Sequence, residues 1–460
     1  MNPREIMYKA KNLRSVVHTT LNPEGPGNVR IHLVPPKFSL RATPSVVILN
    51  GQDIIPIQLS WAILLAEFIK EVNLYEGKEL LDEDLKRIAR HTIDNTRKVY
   101  YKVPAEQLQK DLKTIISTLC DVAYGNEPQV EIGYMTIGEY APYMTAPHRM
   151  DLMISSMTKK IGDISRWNCN QKCLHCYACG QKQAEVEELT TEQWKHIIDK
   201  CRKVGIPQLT FTGGEPTMRN DLVELVEYAK WFVTRLNTNG VLLSTSLCRE
   251  LYEASLDSVQ VTLYSHSEDI HNSLVGVKHF NETVQGIKNA VEAGLNISTN
   301  TPLCTINKDY VETLKFIKSL GVMYVTCSGL IVTGNAAKDE SMSTQLSEDE
   351  LYAILQDATK FCEENHMQIS FTSPGWISEE RLRGLKLMVP SCGACLSNMA
   401  IAPNGKVIPC QSWLGGEVLG NMLSDDWKVI WNSESCTSKR QYSAKMDQKC
   451  PLRAMNSEVE

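Results

Sequence analysis

Fifteen cysteines punctuate this 460-residue chain, and their spacing separates them. Cys120, Cys201, Cys248, Cys304, Cys327 and Cys362 are scattered, mostly among apolar neighbours, where a free cysteine packs as a small hydrophobe. The other nine fall into two groups. The first is Cys169-x3-Cys173-x2-Cys176, with Cys179 close behind; the second is Cys392, Cys395, Cys410, Cys436 and Cys450. Such clustering suggests metal, because thiolates suit zinc or an iron-sulfur cluster and four of them close a coordination shell. Cys179 could be the fourth ligand of the first group, so a structural zinc knuckle stands as the plain alternative to a catalytic centre.

The rest of the composition bounds what the thiols can serve. Lys+Arg 48 against Asp+Glu 54 leaves a formal charge of −6, and 43% hydrophobic with 22% charged residues is ordinary for a globular enzyme. No basic field points to nucleic acid. The opening MNPREIMYKAKNLRS lacks the apolar core of a signal peptide, and SWAILLAEFI is short of a membrane span and broken by Glu67. The expectation is a cytoplasmic protein without a membrane partner, in which thiols stay reduced and disulfides are not expected.

Three regions must position the thiols, with boundaries expected at 1–154, 155–340 and 341–460. In the first, VVILNG (46–51) reads as a strand, Ser60 can cap a helix, and two more amphipathic helices follow, near Asp82 to Val99 and from Pro104. A mainly helical, winged-helix-like module is expected. In the second, PQLTFT, VTRLNTN, DSVQVTLY, LNISTNT and VMYVTC alternate with patterned helices; Thr190 with Gln193 forms a capping box, Asn220, Asn281 and Asn307 stand at helix starts, and Gly294 and Gly321 at helix ends. Repeated βα units demand a parallel sheet, and about six of them suit an α/β partial (β/α)6 barrel with its chemistry at the strand C-termini. IGDISRWN reads as the first strand, which puts Cys169, Cys173 and Cys176 in the loop at the mouth. The polar stretch from Asn335 to Asp349 reads as a linker. The third region reads as a separate small metal-bearing module, where the Asn404-Gly405 turn would pair two strands and bring Cys395 and Cys410 together.

One βα unit beyond CNQKCLHCYA comes FTGGEPTM, whose Gly213 and Gly214 let backbone approach a ligand closely. The two motifs together resemble the radical S-adenosylmethionine (SAM) enzymes. That resemblance implies a [4Fe-4S] cluster held by Cys169, Cys173 and Cys176, its fourth iron open to the amino and carboxylate groups of SAM, with Cys179 a bystander. It implies that Tyr177 packs near the adenine and that Gly213, Gly214 and Glu215 meet the methionyl amino group. LNTNG and VQVTLYSHSEDIHNSLVGV match family patterns at the third and fourth strand ends, so Asn237, Asn239 and Thr262 become candidates for the ribose or carboxylate of SAM. Plain alternatives are core packing for Tyr177, helix capping for Glu215 and turn formation for the asparagines. Where many members carry a serine, aspartate and glycine this chain has Thr262, Tyr264 and Ser265, and Val275-Gly276 replaces a common Arg-Gly. The acidic residue often assigned as proton acceptor is therefore missing, leaving Tyr264 or Ser265 to serve if a local base is needed.

CLSNMAIAPNGKVIPC resembles the opening of the SPASM extension, which carries auxiliary iron-sulfur clusters. A full extension has seven cysteines, and this chain has five there, with Arg453 where a CxxC partner would stand. One auxiliary [4Fe-4S] cluster is implied, held by Cys392, Cys395, Cys410 and Cys450, with Cys436 as the alternative fourth ligand and a zinc ribbon as the plain reading.

The resemblance thus implies cleavage of SAM to methionine and a 5′-deoxyadenosyl radical that modifies a ribosomally made precursor peptide, for instance by a thioether crosslink. A flavodoxin or ferredoxin-type reductant is implied as partner, and the N-terminal module would hold a leader segment by strand addition. The alternatives are the same chemistry on a small molecule or folded protein, and an iron-sulfur redox sensor or metal-binding protein without turnover.

Overall fold

The computed structural model describes residues 3–21, 28–35, 45–75, 78, 80–161, 164–446 and 449–454. They form two compact units, one of Met1–His148 with Lys200–Pro207 and Trp231–Val233, the other containing the remainder.

The first unit holds α1 (Pro3–Asn12), β1 (Val17–Leu21), β2 (Val29–Val34), β3 (Ser45–Leu49), β4 (Asp53–Ile57), α2 (Leu59–Asn73), α3 (Asp82–Arg97), α4 (Ala105–Ala123) and α5 (Ile137–Tyr140). Its strands make an antiparallel sheet in sequence order, with β1 and β4 at the edges. Of the four, only β3 is expected from the sequence analysis; β2, VRIHLV, alternates apolar and polar residues as a half-exposed strand does, yet all six of its residues are buried, Arg30 and His32 included. Helices α2 and α4 cover the sheet through an apolar core that includes Ile31, Leu33, Leu65, Ile69, Leu112 and Ile115, and α3 packs against those two helices. Burying such faces is what stabilises helices of this length. Pro104 is the residue before α4, as expected, whereas α2 begins at Leu59 with Ser60 already inside its first turn.

In the second unit β5 (Arg149–Ser155) is the first parallel strand, and β6 (Thr158–Ile161) and β7 (Ile164–Trp167) form a separate antiparallel hairpin before the cysteine loop. IGDISRWN is therefore not the first barrel strand; its Gly162 and Asp163 lie outside the described residues. Next come α6 (Thr191–Val204), β8 (Gln208–Gly213), α7 (Leu222–Tyr228), β9 (Val233–Thr238), α8 (Thr245–Glu253), β10 (Ser258–Thr262), α9 (Glu268–Val275), α10 (Phe280–Glu292), β11 (Ile297–Pro302), α11 (Tyr310–Ser319) and β12 (Tyr324–Ser328). After α12 (Asp339–Met342) and α13 (Glu348–Glu364), β13 (Gln368–Phe371) adds a parallel strand beside β12. The Thr190–Gln193 box is present, and Gly294 and Gly321 end their helices with left-handed φ of 77° and 86°.

The C-terminal region is not a detached module. After α14 (Glu379–Gly384), β14 (Asn398–Ile401) pairs in parallel with β5, Asn398 opposite Arg149; β15 (Lys406–Ile408) and β16 (Gly420–Asn421) continue the same ten-stranded sheet. Helices α15 (Trp427–Asn432), α16 (Glu434–Ser443) and α17 (Pro451–Ala454) follow. Among the described residues no helix is long and apolar enough to cross a membrane.

Candidate active site and iron-sulfur ligands

The cysteine loop is fixed from two sides. Lys172 N donates to the Val275 carbonyl and Leu174 N to the Leu274 carbonyl, both at 2.9 Å, so the loop rests on the end of α9. Gly276 makes that contact possible: its φ is +71°, and a Cβ there would lie 2.5 Å from the Lys172 carbonyl oxygen. Gly276, the glycine that Val275-Gly276 shares with the common Arg-Gly, thus serves close packing. On the other side, Asn335 N donates to the Cys176 carbonyl at 2.8 Å, Asn335 Nδ2 to Cys173 O at 3.2 Å, and Ser341 Oγ to Leu174 O at 2.9 Å. Thr344 Oγ1 lies 2.8 Å from His175 Nε2. The stretch read as a linker is a clamp on this loop. Its polar composition gives no sign of that role, since the partners are backbone carbonyls that carry no sequence mark.

Cys169 feels the charge of Cys176, and Cys173 that of both, so the three thiols lie near one another. Burial pushes the Cys169 thiol up to about 12, raises Cys173 well above the ordinary thiol range, and raises Cys176 as well. Adjacent thiols in such a setting keep their protons unless a cation takes their place. The donor set therefore fits a thiolate-bound iron-sulfur centre. Cys179 is less buried, and its charge adds to the rise of the Cys176 thiol.

Facing the loop, β8 ends in Gly213 and Gly214. Gly213 has φ +142°, and a Cβ on it would meet Ser155 O at 2.4 Å; on Gly214 it would meet Ser156 O at 2.8 Å. The Cys169 thiol donates to the Gly214 carbonyl at 3.6 Å, which links the two motifs directly. The Glu215 side chain is wholly engaged. Its Oε1 accepts from Thr217 N (3.0 Å), Thr217 Oγ1 (2.6 Å) and Thr238 Oγ1 (2.6 Å), and its Oε2 from Asn239 N (2.8 Å). Burial raises its carboxyl while those donors pull it back. The carboxylate braces the ends of β8 and β9 to each other.

The two asparagines divide. Asn239 spends its amide inside the mouth, donating to Asn170 Oδ1 at 2.6 Å and accepting from Val241 N at 3.1 Å. Asn237 Oδ1 is buried with no hydrogen-bond partner among the described residues. Thr262 ends β10 opposite Asn300. Tyr177 packs among Met153, Ala400, Ile408 and Leu414. Neither candidate base is suited to accepting a proton. Tyr264 is buried beside Cys173, which holds its phenol protonated, and Ser265 Oγ is buried and accepts from Ser267 N at 3.1 Å.

At the second cysteine group the expected hairpin forms, with Ala400 opposite Ile408 and Gly405 at φ +83° in the turn. Cys395 N donates to Pro409 O at 3.1 Å, drawing Cys395 toward Cys410. Cys392, Cys410 and Cys450 share an apolar pocket with Trp413 and Leu452. Burial pushes Cys410 up to about 12, so this thiol too keeps its proton unless a cation takes its place. Arg453 stacks on Trp376 at 4.5 Å and bonds the Gly375 carbonyl, anchoring the segment that carries Cys450. Cys436 interacts with Cys395. Among the described residues no set of three or more His, Cys, Asp or Glu side chains converges on a point suited to a single metal ion.

Residues 168–317 match the Radical SAM superfamily, and residues 392–452 match SPASM, an iron-sulfur cluster-binding domain. The chain is a radical SAM enzyme with a SPASM domain. Its cofactors are accordingly SAM with a [4Fe-4S] cluster, and auxiliary iron-sulfur. Among relatives, AdoMet-dependent heme synthase of Methanosarcina barkeri is 26% identical over 302 residues, covering 62% of this chain and 85% of that protein. Fe-coproporphyrin III synthase of the same organism is 33% identical over 210 residues, covering 43% of this chain and 52% of that one. The fold is similar to that of Streptococcus suis SuiB bound to S-adenosylmethionine, with a TM-score of 0.59 at 15% identity over 91% of this chain and 95% of SuiB. For SuiB bound to its precursor peptide SuiA the TM-score is 0.56 at 13% identity, over 87% and 88%.

Proposed function

We propose that this radical SAM enzyme is a maturase that modifies a ribosomally made precursor peptide, with a crosslink such as a thioether as its product. The observation that carries the proposal is the extent of the likeness to SuiB. Residues from 149 onward make up about two thirds of the chain, so a match over 91% of it takes in the N-terminal unit as well as the barrel. A peptide leader would add to an edge of the four-stranded sheet, where main-chain groups supply affinity.

In this reading Cys169, Cys173 and Cys176 hold the SAM-binding cluster, and Cys392, Cys395, Cys410 and Cys450 the auxiliary one. Loaded with SAM and reduced by a flavodoxin or ferredoxin-type partner, the site supplies a 5′-deoxyadenosyl radical that removes hydrogen from the peptide. The residues around it position and exclude. Gly213 and Gly214 allow the methionyl group to approach backbone, Asn237 accepts from SAM, and Thr262 and Tyr177 bound the space. Asn239 and Glu215 hold the mouth in shape.

The test is anaerobic incubation of the reconstituted enzyme with SAM, dithionite and a short peptide encoded beside its gene. 5′-Deoxyadenosine together with a peptide lighter by the hydrogens lost supports the proposal; 5′-deoxyadenosine with an unaltered peptide sinks it. A small-molecule substrate is the second reading, favoured by the greater sequence identity to the AdoMet-dependent heme synthase and the Fe-coproporphyrin III synthase. Formation of heme or Fe-coproporphyrin III from a porphyrin precursor in the same assay would establish it.

A further inference from the structure

The inner face of a (β/α) barrel is ordinarily filled by bulky branched side chains. Here it is polar. The registers Arg235 to Ser258 and Asn237 to Gln260 put these four residues on one face of β9 and β10. Gln260 Nε2 donates to Thr326 Oγ1 at 3.2 Å, and Thr326 Oγ1 to Asn300 Oδ1 at 2.8 Å, which carries the same face on through β11 and β12. All of these residues are partly open, whereas their alternates Leu236, Val259, Ile297 and Val325 are buried. The buried alternates lie on the side that the helices cover, so the open polar face is the inner one.

Strand β5 lies two strands from β9, about 10 Å away, with β8 between them. Its Asp151 stands opposite Thr210 of β8, and two residues on, Met153 shares an apolar cluster with Tyr177 and Cys176, so this face too looks inward beneath the cysteine loop. Arg149 donates to both oxygens of Asp151, at 2.8 and 3.4 Å, and occupies that carboxylate. Arg235 is left with a contact from Nε to Ser258 Oγ at 3.4 Å, and no carboxylate among the described residues pairs with it. Burial and the charge of Arg149 hold its guanidinium below the ordinary range, with Asp151 pulling the other way. Arginine stays charged at neutral pH even so. On the neighbouring strand, the buried Thr210 Oγ1 has no hydrogen-bond partner among the described residues, which is uncommon for a buried hydroxyl.

We propose that Arg235 and Thr210 bind a carboxylate of the substrate inside the barrel, and that it belongs to an acidic side chain close to the modified residue of the precursor peptide. The peptide half rests on the maturase reading; the carboxylate half does not. A carboxylate offers one oxygen to the guanidinium fork and the other to the hydroxyl, and answers the one charge that the Arg149–Asp151 pair leaves unmatched. Arg235 stands two residues before Asn237 on β9, one layer below the candidate SAM contact, so a group held there brings its neighbours close to the radical. A basic or apolar side chain in its place would leave the guanidinium uncompensated, so the site selects as well as holds.

The test uses reconstituted full-length enzyme with SAM, dithionite and the peptide encoded beside its gene, each acidic residue of the modified segment being replaced in turn by its amide. One such replacement should raise the wild-type KM about tenfold or more. Arg235→Gln should raise KM for the native peptide by a similar factor, and the two changes together should cost little more than either alone, because both remove the same contact. Arg235→Lys, which keeps the charge without the fork, should fall between. An equal rise in Arg235→Gln for native and amide peptides would make Arg235 structural and overturn the proposal. So would a wild-type KM that no amide replacement moves, an outcome that depends on no enzyme variant folding. If no peptide is altered and the porphyrin assay yields product, the peptide reading has failed, and the same comparison is made between the porphyrin acid and its methyl ester. A KM about tenfold higher for the ester, with no such difference in Arg235→Gln, keeps the carboxylate site; equal values in the wild type overturn it.

Discussion

Glu215 shows how a charged side chain inside a protein can matter for shape more than for charge. With four donors aimed at two oxygens it ties Thr217 to Thr238 and Asn239, and with them the floor of the proposed SAM pocket. Glu215→Gln turns one oxygen into an amide that cannot accept, so at least one buried donor faces another donor, at a cost of about 1–3 kcal/mol. The expected outcome is a lower melting temperature and a raised SAM KM, with iron content unchanged. Calorimetry and 5′-deoxyadenosine kinetics on reconstituted protein check it. The thiols call for the opposite measurement. Triple replacement of Cys169, Cys173 and Cys176 by alanine should lower iron from about eight to about four per chain, and iron that does not fall, or proves to be zinc, would refute the ligand assignment.

At the scale of elements, Gly276 carries a sharper prediction. Alanine there meets a left-handed backbone and the Lys172 carbonyl at once, so either α9 or the cysteine loop must shift. Gly276→Ala should fold, yet incorporate less iron at the SAM site, seen as a reduced cluster absorbance per chain. The strands β8 to β12 and the two cysteine motifs were evident in the sequence, because alternating apolar runs and thiol spacing are local marks. The Asn335 to Thr344 clamp was not, since Asn335 and Ser341 act through backbone carbonyls more than a hundred residues away. β2 shows strand alternation in VRIHLV but not that its polar face is covered: it buries His32, whose ring nitrogens have no hydrogen-bond partner among the described residues, within 4.3 Å of the His18 ring, with Trp231 against both. Burial depresses both histidines, His32 to about 3, and Arg30, Arg202 and His148 add to the cost of charging them. A folded value below the unfolded one means stability is fully present above about pH 6.5 and is lost as pH falls toward 3. The slope is about 1.4 kcal/mol per pH unit for each histidine. Urea melts followed by tryptophan fluorescence should steepen in acid for the wild type and flatten in His32→Leu.

For the molecule as a whole, the N-terminal unit cannot be lifted away cleanly. Lys200–Pro207 and Trp231–Val233, from barrel elements, belong to its compact body, and a Cβ on Gly205 would overlap Val16. Deleting residues 1 to about 125 would strip cover from Trp231 and confuse loss of binding with loss of fold, so the leader proposal is better tested from the peptide side. The sheet has two edges. β4 already spends Ile54 O on Met135 N and lacks one donor at Pro56, while on β1 the His18 carbonyl accepts from Asn73. A leader strand therefore has only part of either edge to pair with. A few main-chain hydrogen bonds at about 0.5–1.5 kcal/mol each, less the cost of ordering the segment, still amount to tenfold or more in affinity. With intact enzyme and precursor, removing the leader should raise KM at least tenfold and leave kcat nearly unchanged at saturating peptide, because the barrel and both cysteine groups are untouched. Adding the free leader in trans should not restore KM if its work is tethering. Equal KM for full and leaderless peptide would assign the N-terminal unit another role and return the small-molecule reading to the fore.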